Sequence, residues 1–349
     1  MKCVSVIIPN WNGEELLGPC LESLYRQNFG DFETILVDNG SRDGSIGFVR
    51  KHFPQVKIIA FDENRGFSAG VNAGILAAGG RYIALLNNDT EVDRLWLQEL
   101  AASLDRNPQV GSVASKVLFH SDPQSVNSAG DEFSVFGVPY QRRWLRGDRD
   151  CFNEPQYVFS ACGAAALYRR ELFEKIGLFD EVFFAYQEDV DLGFRSQLAG
   201  YKCLYVPTAV VYHKYHQTSS KHASLWMHLR ERNKYFVLVK NLPAKFFLLC
   251  LPLFLFHEMF AFVQALRFSH VPVYFTARWD VWRHLPQLLE SRRKIQNHRR
   301  VGDAYLFGIM SFREPIWILF YRPLRAFASR ISALVWSEFS TRRSNHLEN

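Results

Sequence analysis

Four short apolar runs, rich in β-branched residues, divide the first 90 residues, and each gives way at once to Asn or Asp. Residues 4–8 precede Pro9-Asn10-Trp11-Asn12, and 34–37 precede Asp38-Asn39-Gly40-Ser41. Residues 57–61 precede Asp62-Glu63-Asn64-Arg65-Gly66, and 82–86 precede Asn87-Asn88-Asp89-Thr90. Unbroken apolar runs, rather than alternating ones, suit a parallel sheet covered on both faces. Between them, Leu17, Cys20, Leu21 and Leu24 keep the i, i+3, i+4, i+7 spacing of a helix face, and Ile46, Val49 and Phe53 keep it approximately. Gly79-Gly80 reads as a helix stop. The pattern predicts βαβαβαβ, an α/β fold.

Right-handed crossovers bring all four polar clusters to one edge of such a sheet, at the carboxyl ends of the strands, where ligands of open α/β sheets bind. For any single cluster, helix capping and loop turning are the plainer account of Asn and Asp. Four in succession favour a site. No G-x-G-x-x-G follows the first run and no G-x-x-x-x-G-K-[ST] is present, so dinucleotide and P-loop phosphate cradles are excluded. A site rich in Asp and Asn without such a cradle suits a nucleotide whose diphosphate is neutralised by Mg²⁺ or Mn²⁺. Asp38 can accept from a base N–H or a ribose hydroxyl, and Asp89 can offer an oxygen to the cation.

Charge changes the picture. Residues 1–220 carry 21 Lys and Arg against 27 Asp and Glu, whereas 221–349 carry 20 against 8. An acidic front joined to a basic, aromatic rear predicts two units, 1–220 and 221–349, with different partners. The six Cys, at 3, 20, 151, 162, 203 and 250, form no C-x-x-C pair, which argues against zinc or a disulfide framework and for a reducing compartment. The apolar start is too short for a secretory signal and ends at Pro9, so a cytosolic start is expected.

These stretches resemble the inverting glycosyltransferases of family two. The resemblance rests on Ser5-Val6-Ile7-Ile8-Pro9, Val37-Asp38-Asn39-Gly40-Ser41, Asn64-Arg65-Gly66-Phe67 and Asn87-Asn88-Asp89-Thr90. It continues through Gly177, Phe179-Asp180-Glu181 and Glu188-Asp189-Val190-Asp191-Leu192, and so covers 4–220. The resemblance implies a nucleotide-sugar-binding GT-A fold, a mostly parallel sheet flanked by helices. Within the family, Asn-Asn-Asp-Thr is similar to the rhamnosyltransferase branch, which moves L-rhamnose from dTDP-rhamnose to a lipid-linked sugar in surface-polysaccharide assembly. It implies a nucleotide-sugar site at Pro9, Asn10, Asn12, Asp38, Asn64, Arg65, Gly66, Asn72 and Asn88, with Asp89 and His213 at a divalent metal. One position departs: the family's metal motif is commonly Asp-x-Asp, and Asn87 stands first here.

Displacement with inversion needs a base for the acceptor hydroxyl and neutralisation of the leaving diphosphate. Glu188-Asp189 follow the aromatic stretch Phe183-Phe184-Ala185-Tyr186, an apolar wall able to raise a carboxylate's pKa. The resemblance implies Asp189 as base, with Glu188 positioning the base or the acceptor. The plainer account of this acidic run is a helix start, where carboxylates favour the dipole, with Asp191 and Arg195 paired at i, i+4. His213 is expected at a strand end; a lone His is otherwise a structural hydrogen-bonder. His216, Arg230 and Arg232 are candidates for phosphate oxygens or for solvated surface. Gly66-Phe67-Ser68-Ala69-Gly70 matches G-x-S-x-G, and Ser68, Asp189 and His213 fall in hydrolase order. A transferase using another UDP-sugar donor, a serine hydrolase and a non-catalytic nucleotide-sugar-binding membrane protein are the alternatives.

In the rear, residues 246–256 carry no charge, but Pro252 and Glu258 argue for a re-entrant or interfacial segment rather than a span, with a buried core helix as the alternative. Residues 323–335 place Leu324, Phe327, Ile331 and Leu334 opposite Arg322, Arg325 and Arg330, after Trp317, Phe320 and Tyr321. That is the pattern of a basic amphipathic helix in a membrane interface, or of a helix packed on its own domain or on a second subunit. Arg292-Arg293-Lys294 and Arg299-Arg300 add charge for an anionic membrane surface. No nucleic-acid module is recognisable. The expected setting is the cytoplasmic face of the cell membrane, with a polyprenyl-diphosphate-linked saccharide as acceptor. Residues 121–156, with Arg142-Arg143-Trp144-Leu145-Arg146, read as a mobile loop over the acceptor side.

Overall fold

The computed structural model describes residues 2–144, 153–214 and 223–312. The expected first half is present as β1 (Val4–Asn10), α1 (Glu14–Tyr25), β2 (Phe32–Asp38), α2 (Ser45–His52), β3 (Lys57–Ala60), α3 (Phe67–Ala77) and β4 (Tyr82–Leu86). β1 pairs in parallel with both β2 and β4, and β2 in parallel with β3. The unbroken apolar runs have the expected cause, because both faces are covered. Val4, Val6, Ile8, Tyr82, Ala84 and Leu86 pack with Leu17, Leu21 and Leu24 of α1. Their neighbours Ile7, Ile35, Val37, Ile83 and Leu85 pack with Val71 and Ile75 of α3.

The second half is mixed. β5 (Thr90–Val92), α4 (Trp96–Arg106) and β6 (Val110–Phe119) lead into β7 (Asp122–Ser128), β8 (Asp131–Phe133), β9 (Pro139–Gln141) and β10 (Gln156–Val158). β11 (Ala165–Arg169), α5 (Arg170–Ile176), α6 (Glu188–Leu198) and β12 (Lys202–His213) follow. β11 runs antiparallel between β4 and β6, and β12 lies parallel to β6, giving the order β10-β12-β6-β11-β4-β1-β2-β3. The expectation of a mobile loop over 121–156 is corrected here: 122–141 form ordered strands, with β7 on β6 and β8 on β9. Leu145 and Arg146 lie outside the described residues.

Among the described residues the rear holds four helices, α7 (Ala223–Asn241), α8 (Ala244–Arg267), α9 (Val271–Asn297) and α10 (Asp303–Ile309). A third core joins Phe133, Phe159, Phe183 and Phe194 to Phe236, Leu242, Leu288 and Met310. It crosses position 220, packing the rear helices against α6 and β8, while the two cores on the faces of the sheet lie wholly within 1–220. α8 continues through Pro252 and is long and apolar enough to cross a membrane by length and composition, with 17% of its apolar window buried. The amphipathic segment 323–335 and its aromatic approach lie outside the described residues.

Candidate active site

At the carboxyl edge the four polar clusters meet through side-chain amides. Asn10 Nδ2 donates to Asp38 Oδ2 at 2.9 Å, and Asn88 Nδ2 donates to Asn10 Oδ1 at 2.7 Å. Asp38 also accepts from Ser41 N–H at 2.9 Å. Ser41 Oγ accepts from the backbone N–H of Asn12 at 2.8 Å, and Asn12 Oδ1 accepts from Arg42 N–H at 2.8 Å. Asn39 joins the third cluster, donating to Gly66 O at 2.8 Å and accepting from Arg65 N–H at 2.8 Å. Asn64 closes that turn by accepting from Gly66 N–H at 2.9 Å. Pro9 sits in register with Val37 where β1 and β2 end, and the Arg65 guanidinium lies over Phe61, 4.9 Å from the ring centroid.

Gly13, absent from the sequence candidates, makes the amide pair possible. A Cβ there would fall 2.2 Å from Asn88 Nδ2 and 2.5 Å from Asn10 Oδ1, so only glycine lets the start of α1 approach this closely. Asn72 stands apart from the cluster. Its Nδ2 donates to Phe179 O at 2.9 Å and its Oδ1 accepts from Phe179 N–H at 3.0 Å, so the buried amide is spent bracing α3 to the segment before α6.

Asp89 and His213 meet although 124 positions separate them: His213 Nε2 lies 3.1 Å from Asp89 Oδ1. His213 ends β12, as expected, and β12 pairs with β5 immediately after Asp89. Its Nδ1 lies 3.0 Å from Asn127 Oδ1, a partner on β7 that the sequence reading missed. With Nδ1–H donating to that oxygen, the Nε2 lone pair faces a carboxylate, an arrangement that calls for a proton or a cation between them. Asn87 Oδ1 is buried and has no hydrogen-bond partner among the described residues. Among the described residues no three His, Cys, Asp or Glu gather as a metal site. One carboxylate and one imidazole, with a neighbouring amide oxygen, still suit an ion that takes its other ligands from substrate phosphates and water.

Asp189 lies in the first turn of α6, so the helix-start reading and the site reading describe the same residue. Its Oδ2 accepts from Gly163 N–H at 2.8 Å. Ala164, the next residue, accepts from Asn87 N–H at 2.9 Å, which ties the base candidate to the Asn-Asn-Asp turn. Burial raises the Asp189 pKa, opposed by the N–H groups of Gly163 and Val190. Burial, then the Asp189 charge, pushes the buried Glu188 well above the carboxylate range. Asp131 on β8 is pushed up in the same way and was also missed. Asp191 belongs elsewhere: it pairs with Arg195 at 2.9 Å and Lys240 at 2.8 Å and is held down to about 2, by Lys240 first.

The turn that delivers Glu188-Asp189 is strained. Phe184, Tyr186 and Gln187 have φ of 63°, 72° and 68°, a region that costs a bulky residue about 1–3 kcal/mol. Gly66, at φ 89°, lies against it, and a Cβ there would meet Phe184 O at 2.5 Å. Arg232 is buried and donates to Val182 O and Phe183 O, so it is neither a phosphate ligand nor solvated surface. Arg230 stacks over Trp226, 4.7 Å from the centroid, and Trp226 meets Tyr186 edge-on. His216 lies outside the described residues. Ser68 is buried inside α3 with no hydrogen-bond partner for Oγ among the described residues, so the G-x-S-x-G match lacks the base that would activate it.

Residues 5–177 match the family model for glycosyl transferase family 2. The chain is 30% identical over 222 residues to the N-acetylglucosaminyl-diphospho-decaprenol L-rhamnosyltransferase of Mycobacterium tuberculosis, which covers 57% of this chain and 71% of that one. It is also 30% identical over 230 residues to an O-antigen biosynthesis protein of Myxococcus xanthus, over 63% of this chain but 18% of the relative. An uncharacterized protein of Sinorhizobium fredii, 31% identical over 62% of this chain, is likewise matched over 25% of its own length. The chain thus spans a quarter or less of those two relatives. Among solved structures, mannosyltransferase PcManGT from Pyrobaculum calidifontis, in complex with GDP-Man and Mn²⁺, has a TM-score of 0.51 at 18% identity, covering 85% of this chain and 87% of its own. GalNAc-T7 with UDP, GalNAc and Mn²⁺ scores 0.55 at 18% identity over 69% and 48%. At that identity the likeness speaks for the fold, and the mixed sheet flanked by helices is the GT-A architecture. The family model and the relative matched over most of its length agree, and on them the chain belongs to the family-two glycosyltransferases.

Proposed function

We propose that this glycosyltransferase moves L-rhamnose from dTDP-rhamnose to a polyprenyl-diphosphate-linked saccharide, with inversion, in cell-surface polysaccharide synthesis. The observation that carries the reading is the linkage of a buried, raised-pKa carboxylate, Asp189, through Gly163 and Ala164 to the turn holding Asp89 and its partner His213. Asp189 takes the proton of the acceptor hydroxyl as its oxygen attacks the anomeric carbon. The bond to the diphosphate breaks on the opposite face, so the configuration inverts. Glu188, whose proton affinity is raised by burial and then by the Asp189 charge, positions the base or the acceptor.

Asn10, Asp38 and Asn88 form the wall for the nucleoside, with Asp38 accepting from base or ribose, and Arg65 stands at the rim for phosphate oxygens. Pro9, Asn12, Asn64 and Gly66 shape that wall, and Asn72 braces α3 to the segment before α6. Asp89 and His213, with the Asn87 amide oxygen as a further ligand, would hold a Mg²⁺ or Mn²⁺ ion, which would supply charge neutralisation at the leaving diphosphate. The acceptor class is supported by the activity for which the Mycobacterium tuberculosis relative is named. Membrane association is supported by α8, which exposes Leu248, Leu255, Met259 and Val263 along one side, and by exposed Trp279 and Trp282 on α9; the cytoplasmic face is the side we assign to it.

A thermal-shift panel of nucleotide sugars with and without Mn²⁺ tests the donor, because a ligand of the native state raises the melting point by mass action. The expected leader is dTDP-rhamnose, with the shift reduced by EDTA. Asp189→Asn should cut transfer to N-acetylglucosaminyl-diphospho-polyprenol by about 10²–10⁴-fold while leaving the donor-induced shift in place. Unchanged turnover in that variant would remove Asp189 from the mechanism.

A further inference from the structure

The turn before Asp189 is held by a side chain that belongs to the rear helices. Asn233, fully buried on α7, points its Nδ2 at three carbonyls of that turn: Phe183 O at 3.0 Å, Ala185 O at 2.8 Å and Tyr186 O at 2.7 Å. The neighbouring Arg232 guanidinium donates to Val182 O at 3.1 Å and Phe183 O at 3.0 Å, and its Nε donates to Asn233 Oδ1 at 2.9 Å, fixing which way the amide faces. On the other side Ser68 N–H donates to Phe184 O at 3.2 Å. Carbonyls gathered this closely repel one another, and three residues of the turn hold positive φ. Such a conformation persists only where its surroundings over-determine it.

We propose that Asn233, oriented by Arg232, is a positioning residue for glycosyl transfer, holding residues 184–187 in the strained form that aims Asp189 at the acceptor hydroxyl. The rear region then completes the active site as well as anchoring it. This rests on Asp189 being the base. Neither α7 residue touches substrate, and the effect passes through the backbone of the turn. An amide suits this position chemically. A carboxylate at 233 would set an acceptor against three acceptors, and an alkyl group would withdraw the amide from all three carbonyls, with Phe183 O alone keeping Arg232 and the Ala185 N–H as donors.

The test uses the full chain in detergent with dTDP-rhamnose, or the donor that the thermal-shift panel favours, and N-acetylglucosaminyl-diphospho-polyprenol. Asn233→Ser and Asn233→Asp should lower kcat by about 10–100-fold, the range expected when a reacting group is displaced by an ångström. Donor affinity should stay within about twofold, since the nucleoside wall is untouched. The acidic limb of kcat/KM should move to lower pH in Asn233→Ser, because a loosened turn lets water reach Asp189 and relieves its burial. Gln187→Gly, which makes positive φ free of cost, should recover part of the kcat in the Asn233→Ser background. The proposal is overturned if kcat is unchanged, if kcat and donor affinity fall together with no shift of the pH limb, or if Asn233 variants do not fold and Arg232→Gln, which does, keeps wild-type kcat. Asp189→Asn run in parallel separates the two readings. A dead Asp189→Asn beside an active Asn233→Ser sinks the clamp alone, whereas an active Asp189→Asn sinks the base.

Discussion

Two opposing influences meet at the carboxylate of Asp189: burial raises its proton affinity, and the N–H groups of Gly163 and Val190 lower it. Burial prevails, so the group ionises above the ordinary carboxylate value of about 4. A general base works only when ionised. Activity should therefore fall as pH drops through that raised value, and kcat/KM measured from pH 4 to 8 should lose half its maximum above the ordinary value. A limb at or below it would mean that another group is the base. At this scale Asp38, Asn88 and Asp89 could be named from sequence as candidates, because four polar clusters in succession favour a site over capping alone. Asn127 and Asp131 were not. They sit in a stretch of no clear periodicity, and only the folding of β7 and β8 brings them to His213 and Asp189.

The start of α6 combines two roles on one helix. Asp189 faces Gly163, while Asp191 points to Arg195, Lys240 and Asn241, tying α6 to α7. Asp191 is fully buried and its pKa is held down to about 2. Because the folded value is depressed, its stabilisation is present above the unfolded value of about 4 and is lost as pH falls through about 2. Asp191→Asn leaves two buried cations short of a counter-charge and should cost about 3–5 kcal/mol at neutral pH. Thermal unfolding compared at pH 7 and pH 3 should show the gap between variant and wild type narrowing; an equal gap at both would assign the loss to packing. The i, i+4 pair with Arg195 was readable from spacing, but Lys240 lies 49 positions away and no local pattern announces it.

Across the whole molecule, the basic rear divides into charges used inside and charges left outside. Arg292 donates to Val239 O at 2.8 Å and Arg299 pairs with Asp303, so neither is free for lipid. Arg293, Lys294, Arg300, Lys245, Arg267 and Arg283 are exposed, alongside the uncovered apolar stripes of α8 and α9. Glu258, which argued against burial of α8 in lipid, is matched by Arg278 at 3.0 Å and held by Tyr274 at 3.1 Å. The full chain should sediment with vesicles containing phosphatidylglycerol and less well with pure phosphatidylcholine, with binding weakened by salt. Replacing Trp279 and Trp282 by Ser should lower partitioning by about tenfold or more, given about 1.5–3 kcal/mol for burying each large apolar side chain. A chain that stays in the supernatant with both vesicle types would remove the membrane from the reading.

What the order of residues determined by itself was local: four strands, the helices between them, and the edge where their polar ends must gather, because hydrophobic periodicity and right-handed crossovers act over a few tens of residues. Tertiary structure alone decided the antiparallel insertion of β11, the meeting of His213 with Asp89, the room that Gly13 leaves for Asn10 and Asn88, and the grip of α7 on the turn before Asp189. Those contacts join segments far apart in the chain. Their partners are chosen by shape, burial and hydrogen-bond satisfaction in the packed molecule, which leave no periodic trace in sequence.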